Sequence, residues 1–278
     1  MRIAQISDTH ISVPPVKTAD READLATVLD ALMRLDPLPD VVIHTGDAAN
    51  LGRPEEYACL RALMARLPTP WLVTPGNRDC RRDMREGLSG ATPLPTGTGP
   101  VDYAEAFGGI RFVSYDSKGP GTNKGWADRE RLKALDRLLA EAPDVPTVLF
   151  MHHPPFVLEG ARDPHQFADW RHAEALDRLL ARHAQVRLVL TGHSHRFARG
   201  RIGHAEAFTM PSVATDLRKG TGERQVGRRP VWMLYDVAAD GTLARHALCI
   251  LDAQGQIRET NPEGATAAAT GTHAVSVA

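Results

Sequence analysis

Seven side chains able to hold metal ions are strung along the chain between positions 8 and 195: Asp8, His10, Asp47, Asn77, His152, His193 and His195. They sit in five short motifs, Asp8-Thr9-His10, Gly46-Asp47, Gly76-Asn77-Arg78-Asp79, His152-His153-Pro154-Pro155 and Gly192-His193-Ser194-His195. The donors are two carboxylates, one carboxamide and four imidazoles, with no thiolate. Such a set suits Mn, Fe, Co or Zn better than a calcium cage, and it does not describe a structural thiolate zinc site. Seven donors fill two sites only if one bridges; a carboxylate can do that, and Asp47 is the candidate. Paired metals point to phosphate chemistry.

Each motif follows an apolar run of strand character. Residues 2–7 precede Asp8, Val41-Val42-Ile43 precedes Asp47, and Trp71-Leu72-Val73 precedes Asn77. Thr147–Met151 leads to His152, and Val186–Leu190 to His193. In open α/β sheets, ligand sites collect beyond the carboxyl ends of strands, which is where these residues fall. The two-residue spacing of Asp8 and His10, repeated by His193 and His195, predicts side chains pointing the same way from a strand end. Gly46, Gly76 and Gly192 fit tight turns and close backbone approach. Between the strands, Leu25, Val28, Leu29, Leu32 and Leu35 recur at helical spacing. So do Tyr57, Leu60, Leu63, Met64 and Leu67, then Leu132, Leu135, Leu138 and Leu139, and later Leu176, Leu179 and Leu180. This alternation predicts α/β layering around a largely buried sheet.

Ile110–Tyr115 reads as a further strand, and the Gly-, Pro- and Thr-rich stretch 87–100 before it as a loop. After the last motif the pattern changes to strands without helices, near 204–210, 231–237 and 245–251. These are expected to form a second sheet that completes a β-sandwich with helices outside. A polar loop at 216–229 interrupts them, and residues 259–278, rich in Ala, Thr and Gly, are expected to be a disordered tail. The domain expected is thus 1–258. With 278 residues the chain is long enough for one large domain with a sizeable core. A net charge of −1 supplies no field that would draw a nucleic acid polymer or an anionic membrane. No apolar stretch approaches the ~20 residues needed to span a bilayer. Cys59, Cys80 and Cys249 are odd in number and lack a CxxC pair, which favours a reducing compartment. With a first strand in place of a signal peptide, a cytoplasmic location is expected.

The set D-x-H, G-D, G-N-x-D, H-H-P-P and G-H-x-H, in this order and each behind a strand, resembles the calcineurin-like metallophosphoesterases. The resemblance covers roughly residues 1–215. It is closest to the branch holding class III cyclic nucleotide phosphodiesterases and a bacterial glycerophosphodiesterase, which the stretches 46–57 and 121–126 also resemble. It implies a four-layer α/β/β/α sandwich and two divalent or trivalent metal ions. Asp8, His10, Asp47 and His195 would hold one; Asp47, Asn77, His152 and His193 the other, with Asp47 bridging. The implied reaction is hydrolysis of a small phosphodiester, a cyclic nucleotide or a glycerophosphodiester-like compound, by a metal-bridging hydroxide. A phosphomonoesterase or nucleotide pyrophosphatase on the same metals is the alternative; a non-catalytic scaffold of the same fold is a third reading. Relatives in this branch associate through the region beyond the core, so a homo-oligomer is one option and the oligomeric state is open.

One position departs from the branch. Its usual His after Gly-Asn, thought to contact phosphate and protonate the leaving group, is Arg78 here. A guanidinium stays charged at working pH and cannot act as a general acid, but it can clamp phosphate oxygens and stabilise growing negative charge. Arg78, with Asp47, is the expected catalytic residue, and Asn50, Asn77 and Arg78 are the expected substrate contacts. Asn50 matches a substrate-contacting Asn of the branch. His153 is expected to face away from the metals in a supporting or structural role, His44 to be a satisfied core histidine, and Asp79 to orient Arg78 or a ligand histidine. The run 81–85 reads as a solvated charged face, and the basic stretch from Arg218 to Arg229 as a flexible loop, with a lid or subunit contact as the sharper reading.

Overall fold

The structure, a computed structural model, describes residues 1–17, 19–219 and 227–261. Its elements in chain order are β1 (Arg2–Ile6), α1 (Arg21–Leu32), β2 (Val41–His44), α2 (Pro54–Met64), β3 (Trp71–Val73) and α3 (Arg81–Gly87). There follow β4 (Tyr103–Phe107), β5 (Ile110–Ser114), α4 (Arg129–Ala140), β6 (Thr147–Phe150), α5 (Trp170–Leu180) and β7 (Val186–Thr191). The chain ends in β8 (Ala198–Ile202), β9 (Ala205–Thr209), a 3-10 turn at Thr215–Leu217, β10 (Val231–Val237), β11 (Leu243–Leu251) and β12 (Ile257–Thr260).

Two six-stranded sheets result, ordered β12-β11-β10-β1-β2-β3 and β4-β5-β6-β7-β9-β8. Strands β1, β2 and β3 are parallel, as are β5, β6, β7 and β9. Parallel strands buried on both faces need the continuous apolar runs seen in Val41–Ile43 and Val148–Phe150. The larger core fills the space between the sheets, with Phe112, Phe150, Leu190 and Phe208 of one facing Ile3, Met233 and Tyr235 of the other, and continues under α1 and α2. The smaller core lies outside the second sheet, beneath α4 and α5. This is the four-layer sandwich expected from the resemblance.

The helices start where side chains satisfy their free N–H groups. Asp20, Asp128 and Asp169 accept from Ala23, from Glu130 and Arg131, and from Arg171. Pro54 opens α2, and Glu56 folds back onto the Arg53 and Leu51 amides.

The second sheet does not consist of the C-terminal strands. It begins with β4, and the late strands divide: β9 joins it, while β10 and β11 add antiparallel to β1. Strand β12 runs through the expected boundary at 258, because Thr260 and Glu259 pair with Leu248 and Cys249. The rest of the expected tail, residues 262–278, lies outside the described residues, as does 220–226 of the expected loop. The run 81–85 is helix α3; Met84 is its fully buried residue, and it packs beside α2. Among the described residues no helix is long and apolar enough to cross a membrane.

Buried Gln5 ties the sheets together just below the carboxyl ends of their strands. Its amide N–H donates to the Thr191 carbonyl (2.8 Å) and to Thr45 Oγ1 (2.9 Å), while its oxygen accepts from Tyr235 O–H (2.8 Å). The ends of β1, β2, β3, β6 and β7 therefore open onto one common edge.

Candidate metal centre

All seven expected ligands lie at that edge, most of them buried. Turn 8–11 zips onto turn 46–50 through Asp8 N–H to Gly46 O (2.9 Å), His10 N–H to Asp47 O (3.0 Å) and Ile11 N–H to Ala48 O (3.0 Å). Gly192 N–H donates to His152 O (3.0 Å), joining the two motifs of the second sheet.

Asp8, His10, Asp47, His193 and His195 all have positive φ, between 44° and 67°, and among the described residues no other non-glycine residue does. An L-residue in the left-handed region is strained, and such strain persists only where the surroundings over-determine it, most often at functional sites. It also replaces the strand-pleat explanation of the paired spacing. Asp8 and His10 lie past the end of β1, and His193 and His195 past β7. Each pair converges through two left-handed residues flanking a third, rather than through alternation along a strand.

Donor atoms gather in two groups. In the first, Asp8, His10, Asp47 and His195 offer ligand atoms all within 4.8 Å of one another. Asp8 Oδ1 is 3.2 Å from His195 Nε2 and 3.8 Å from His10 Nε2, and the two imidazole nitrogens are 3.4 Å apart. In the second, His152 Nε2 lies 3.2 Å from Asn77 Oδ1 and 3.3 Å from His193 Nδ1. Asp47 reaches both: Oδ2 is 3.6 Å from His10 Nε2 and Oδ1 is 3.5 Å from His152 Nε2. Atoms bound at about 2.0–2.2 Å to one ion stand roughly 3–3.6 Å from each other, and all of these distances except the 3.8 Å from Asp8 to His10 fall in that range.

The donors also fit cations chemically. Asp8 Oδ2 accepts from Ser7 Oγ (2.6 Å) and His193 N–H (3.0 Å), whereas Oδ1, fully buried and aimed into the first group, has no hydrogen bond. A buried carboxylate oxygen left this way is costly unless a cation meets it. His152 Nδ1–H donates to Thr45 O and His195 Nδ1–H to Leu217 O, both 2.8 Å, which turns each Nε2 inward.

The electrostatics agree. Burial, opposed by Asp47 and Asp8 and aided weakly by His195 and Arg21, brings the His10 pKa down to about 4. Burial and the adjacent His153 and His152 push His193 well below its ordinary value. Both therefore offer neutral lone pairs at neutral pH. Burial would lower His152 too, but the Asp47 carboxylate wins and raises it to about 9. Asp47 in turn is held well below the carboxylate range, burial being outweighed by His152 and His10. A cation held there would take the place of the His152 Nε2 proton.

Close approach explains two glycines. A Cβ on Gly192 would fall 2.0 Å from Ser7 Oγ and 2.6 Å from Asp8 Oδ2; one on Gly76 would fall 2.2 Å from Asp47 Oδ1.

Other expected residues take different places. His153 does not face away: its ring packs 4.4 Å from that of His193, and its nitrogens are both engaged. Ser117 Oγ–H donates to Nδ1 (2.8 Å) and Nε2–H donates to Asn123 O (3.1 Å), so it supports the ligands through packing. Asp79 does not orient Arg78 or a histidine. It is buried beneath the turns and accepts from Gly76, Ala48 and Ala49 N–H and from Tyr57 O–H, at 2.8–3.2 Å. Burial and the Asp47 charge raise it to about 6, against those bonds. His44 is a satisfied core histidine: Gly46 N–H donates to Nδ1 (3.2 Å), Nε2–H donates to Thr9 Oγ1 (2.9 Å), and Thr9 passes the bond on to Ala48 O (3.0 Å). Arg78 N–H donates to Asp47 Oδ1 (2.7 Å), while its guanidinium is exposed with no partner among the described residues.

Ser7, Tyr57 and Arg21 carry positioning roles that the sequence reading missed. Arg21, buried at the start of α1, donates to Asn50 Oδ1 (2.9 Å) and His10 O (3.2 Å) and pairs with both Asp216 oxygens. Ser7 adjoins a ligand, which was a usable signal; nothing near Arg21 in the sequence marks it.

Residues 1–197 match the profile of the calcineurin-like phosphoesterases. The chain belongs to the calcineurin-like phosphoesterase family. It is 34% identical over 218 residues, 77% of each chain, to glycerophosphodiester phosphodiesterase GpdQ of Enterobacter lignolyticus. It is 27% identical over 230 residues, 81% of each, to 3′,5′-cyclic adenosine monophosphate phosphodiesterase CpdA of Pseudomonas aeruginosa. The fold resembles that of a dimetal phosphatase from Danio rerio (TM-score 0.58, 15% identity, 90% of this chain and 92% of that one).

Proposed function

We propose that this member of the family hydrolyses a small phosphodiester, of the cyclic nucleotide or glycerophosphodiester kind, at two metal ions bridged by Asp47. The observation that carries the reading is the position of Asp47, one carboxylate oxygen turned to each group of donors. Asp8, His10 and His195 would complete one metal site, and Asn77, His152 and His193 the other. Two bound cations supply Lewis-acid charge and a nucleophile drawn from water at neutral pH. Mn, Fe, Co and Zn all suit these donors. The activities named for the two relatives support a diester substrate.

Arg78 would clamp a phosphate oxygen with its free guanidinium, held at the site by its own amide on Asp47. It supplies charge and no proton, which favours esters with good leaving groups or a strained ring. Asn50 would donate to the substrate through its NH₂, since Arg21 occupies its oxygen. The free guanidinium of Arg78 also suits a pyrophosphate, the second reading. The three unpaired thiols, Cys59, Cys80 and Cys249, support a cytoplasmic location.

The test is hydrolysis of bis(p-nitrophenyl) phosphate against p-nitrophenyl phosphate by Mn²⁺-loaded protein. Preference for the diester is expected. Preference for the monoester would replace this reading with a phosphomonoesterase.

A further inference from the structure

A cleft of about 630 Å³ opens beside the metal centre, large enough for a nucleotide-sized body. Of the seven expected ligands it touches His193 alone, and Arg78 does not line it. Its wall carries Arg162, Arg196 and Lys219. Among the described residues none of these three cations has a side-chain hydrogen bond or ion pair. Among the described residues one acid lines the cleft, Asp163, and it is already paired with Lys124 at 2.9 Å. Lys219 is tied to the centre, since its N–H donates to His195 O (2.9 Å). Three unanswered positive charges around a cavity make a local anion trap on a chain whose net charge is only −1.

We infer that the substrate carries a second phosphate, held in this cleft by Arg162, Arg196 and Lys219 while the scissile phosphate sits at the metals. The inference rests on the phosphodiesterase reading above and deepens it. The two phosphates are assigned to different groups, because His193 alone of the seven expected ligands lines the cleft and Arg78 stands outside its wall. An uncharged alcohol or a plain cyclic nucleotide leaves the three cations unmatched. A nucleoside diester phosphorylated at a second position matches them.

Two probes differing only in that group test the point: thymidine 3′-(p-nitrophenyl phosphate) and the same ester bearing a 5′-phosphate. Their leaving group is identical. With metal-loaded wild-type protein the phosphorylated ester is expected to show kcat/KM at least about tenfold higher, a gap that narrows with salt. The Arg162→Gln/Arg196→Gln/Lys219→Gln protein should lose most of that ratio. Calorimetric binding of thymidine 3′,5′-bisphosphate against thymidine 3′-phosphate provides a readout without turnover and should show the same preference and the same loss. A wild-type ratio near one in binding, or a ratio that survives the triple substitution, overturns the inference. If neither ester is hydrolysed but the binding preference is present and lost in the variant, the cleft assignment stands and the phosphodiesterase reading fails.

Discussion

Replacing Gly192 by alanine puts a methyl group where the first-group carboxylate is held. The added Cβ would lie 2.0 Å from Ser7 Oγ, 2.6 Å from Asp8 Oδ2 and 3.2 Å from Ser7 Cβ. Ser7 Oγ has to retreat by roughly an ångström to reach an ordinary contact, and its 2.6 Å bond to Asp8 Oδ2 breaks. Overpacking costs about 1–3 kcal/mol and a lost hydrogen bond to a charged group about 1.5–3 kcal/mol, together about 2.5–6 kcal/mol. A domain with more than about 6 kcal/mol of stability, within the usual range of about 5–15 kcal/mol, survives that. Asp8 then keeps only the His193 amide, its Oδ1 turns from the other donors, and metal affinity falls about 10–100-fold. The assay is urea unfolding of metal-free protein beside a metal-competition titration. Ser7→Ala removes the bond without the overpacking and should cost about 1.5–3 kcal/mol. The double variant should lose less than the two single losses combined, because Ser7 Oγ is the nearest obstacle. Additive losses, or Gly192→Ala protein with unchanged stability and metal affinity, would refute the reasoning.

Arg78→His should give the kcat–pH profile an alkaline limb that the wild type lacks, because imidazolium can donate the proton that guanidinium cannot; a limb in the wild type itself would show another acid at work. Asp102, raised to about 6 chiefly by burial, binds its proton more tightly folded than unfolded. Its contribution is complete below about pH 4 and is lost as pH rises to 6. Asp102→Asn, which still accepts from Asp116 N–H, should therefore stabilise the protein by about 2–3 kcal/mol at pH 8 and hardly at all at pH 4, measured by denaturant unfolding; equal effects at both pH values would dismiss it. His44→Val strands the buried Gly46 amide and should cost about 1–3 kcal/mol; a change under about 0.5 kcal/mol would mean the link between the turns is idle.

Much of the layering was legible because its segments are long and periodic. Leu25–Leu35 and Leu176–Leu180 announce helices, and the apolar runs before each motif announce β1, β2, β3, β6 and β7. Strands β4, β8 and β12 were missed for a common reason: they are edge or near-edge strands, half-exposed and rich in polar residues such as Arg199, Arg201, Arg258 and Glu259. Helix α3 buries too little to show a period. Assignment of late strands to a sheet failed because β10 pairs with β1 across more than two hundred residues, a choice that local pattern does not encode.

The ligand positions are legible in residue type and order, but their convergence comes from turns past the strand ends and not from the strand pleat. Left-handed φ at five of them is a tertiary outcome, imposed by the zipped turns and by Asp79 beneath. Arg21 and Tyr57 act through bonds to Asp216 and Asp79, 195 and 22 positions away, and a single sequence carries no mark of such bonds.

The central claim is a pair of metals joined by Asp47. Metal content per chain, measured on wild type and Asp47→Asn after equilibrium dialysis against Mn²⁺, tests it most directly. Two ions in the wild type, with both sites weakened together in the variant, are the predicted result. One ion in the wild type, or a variant that loses one site and keeps the other at full affinity, would contradict it.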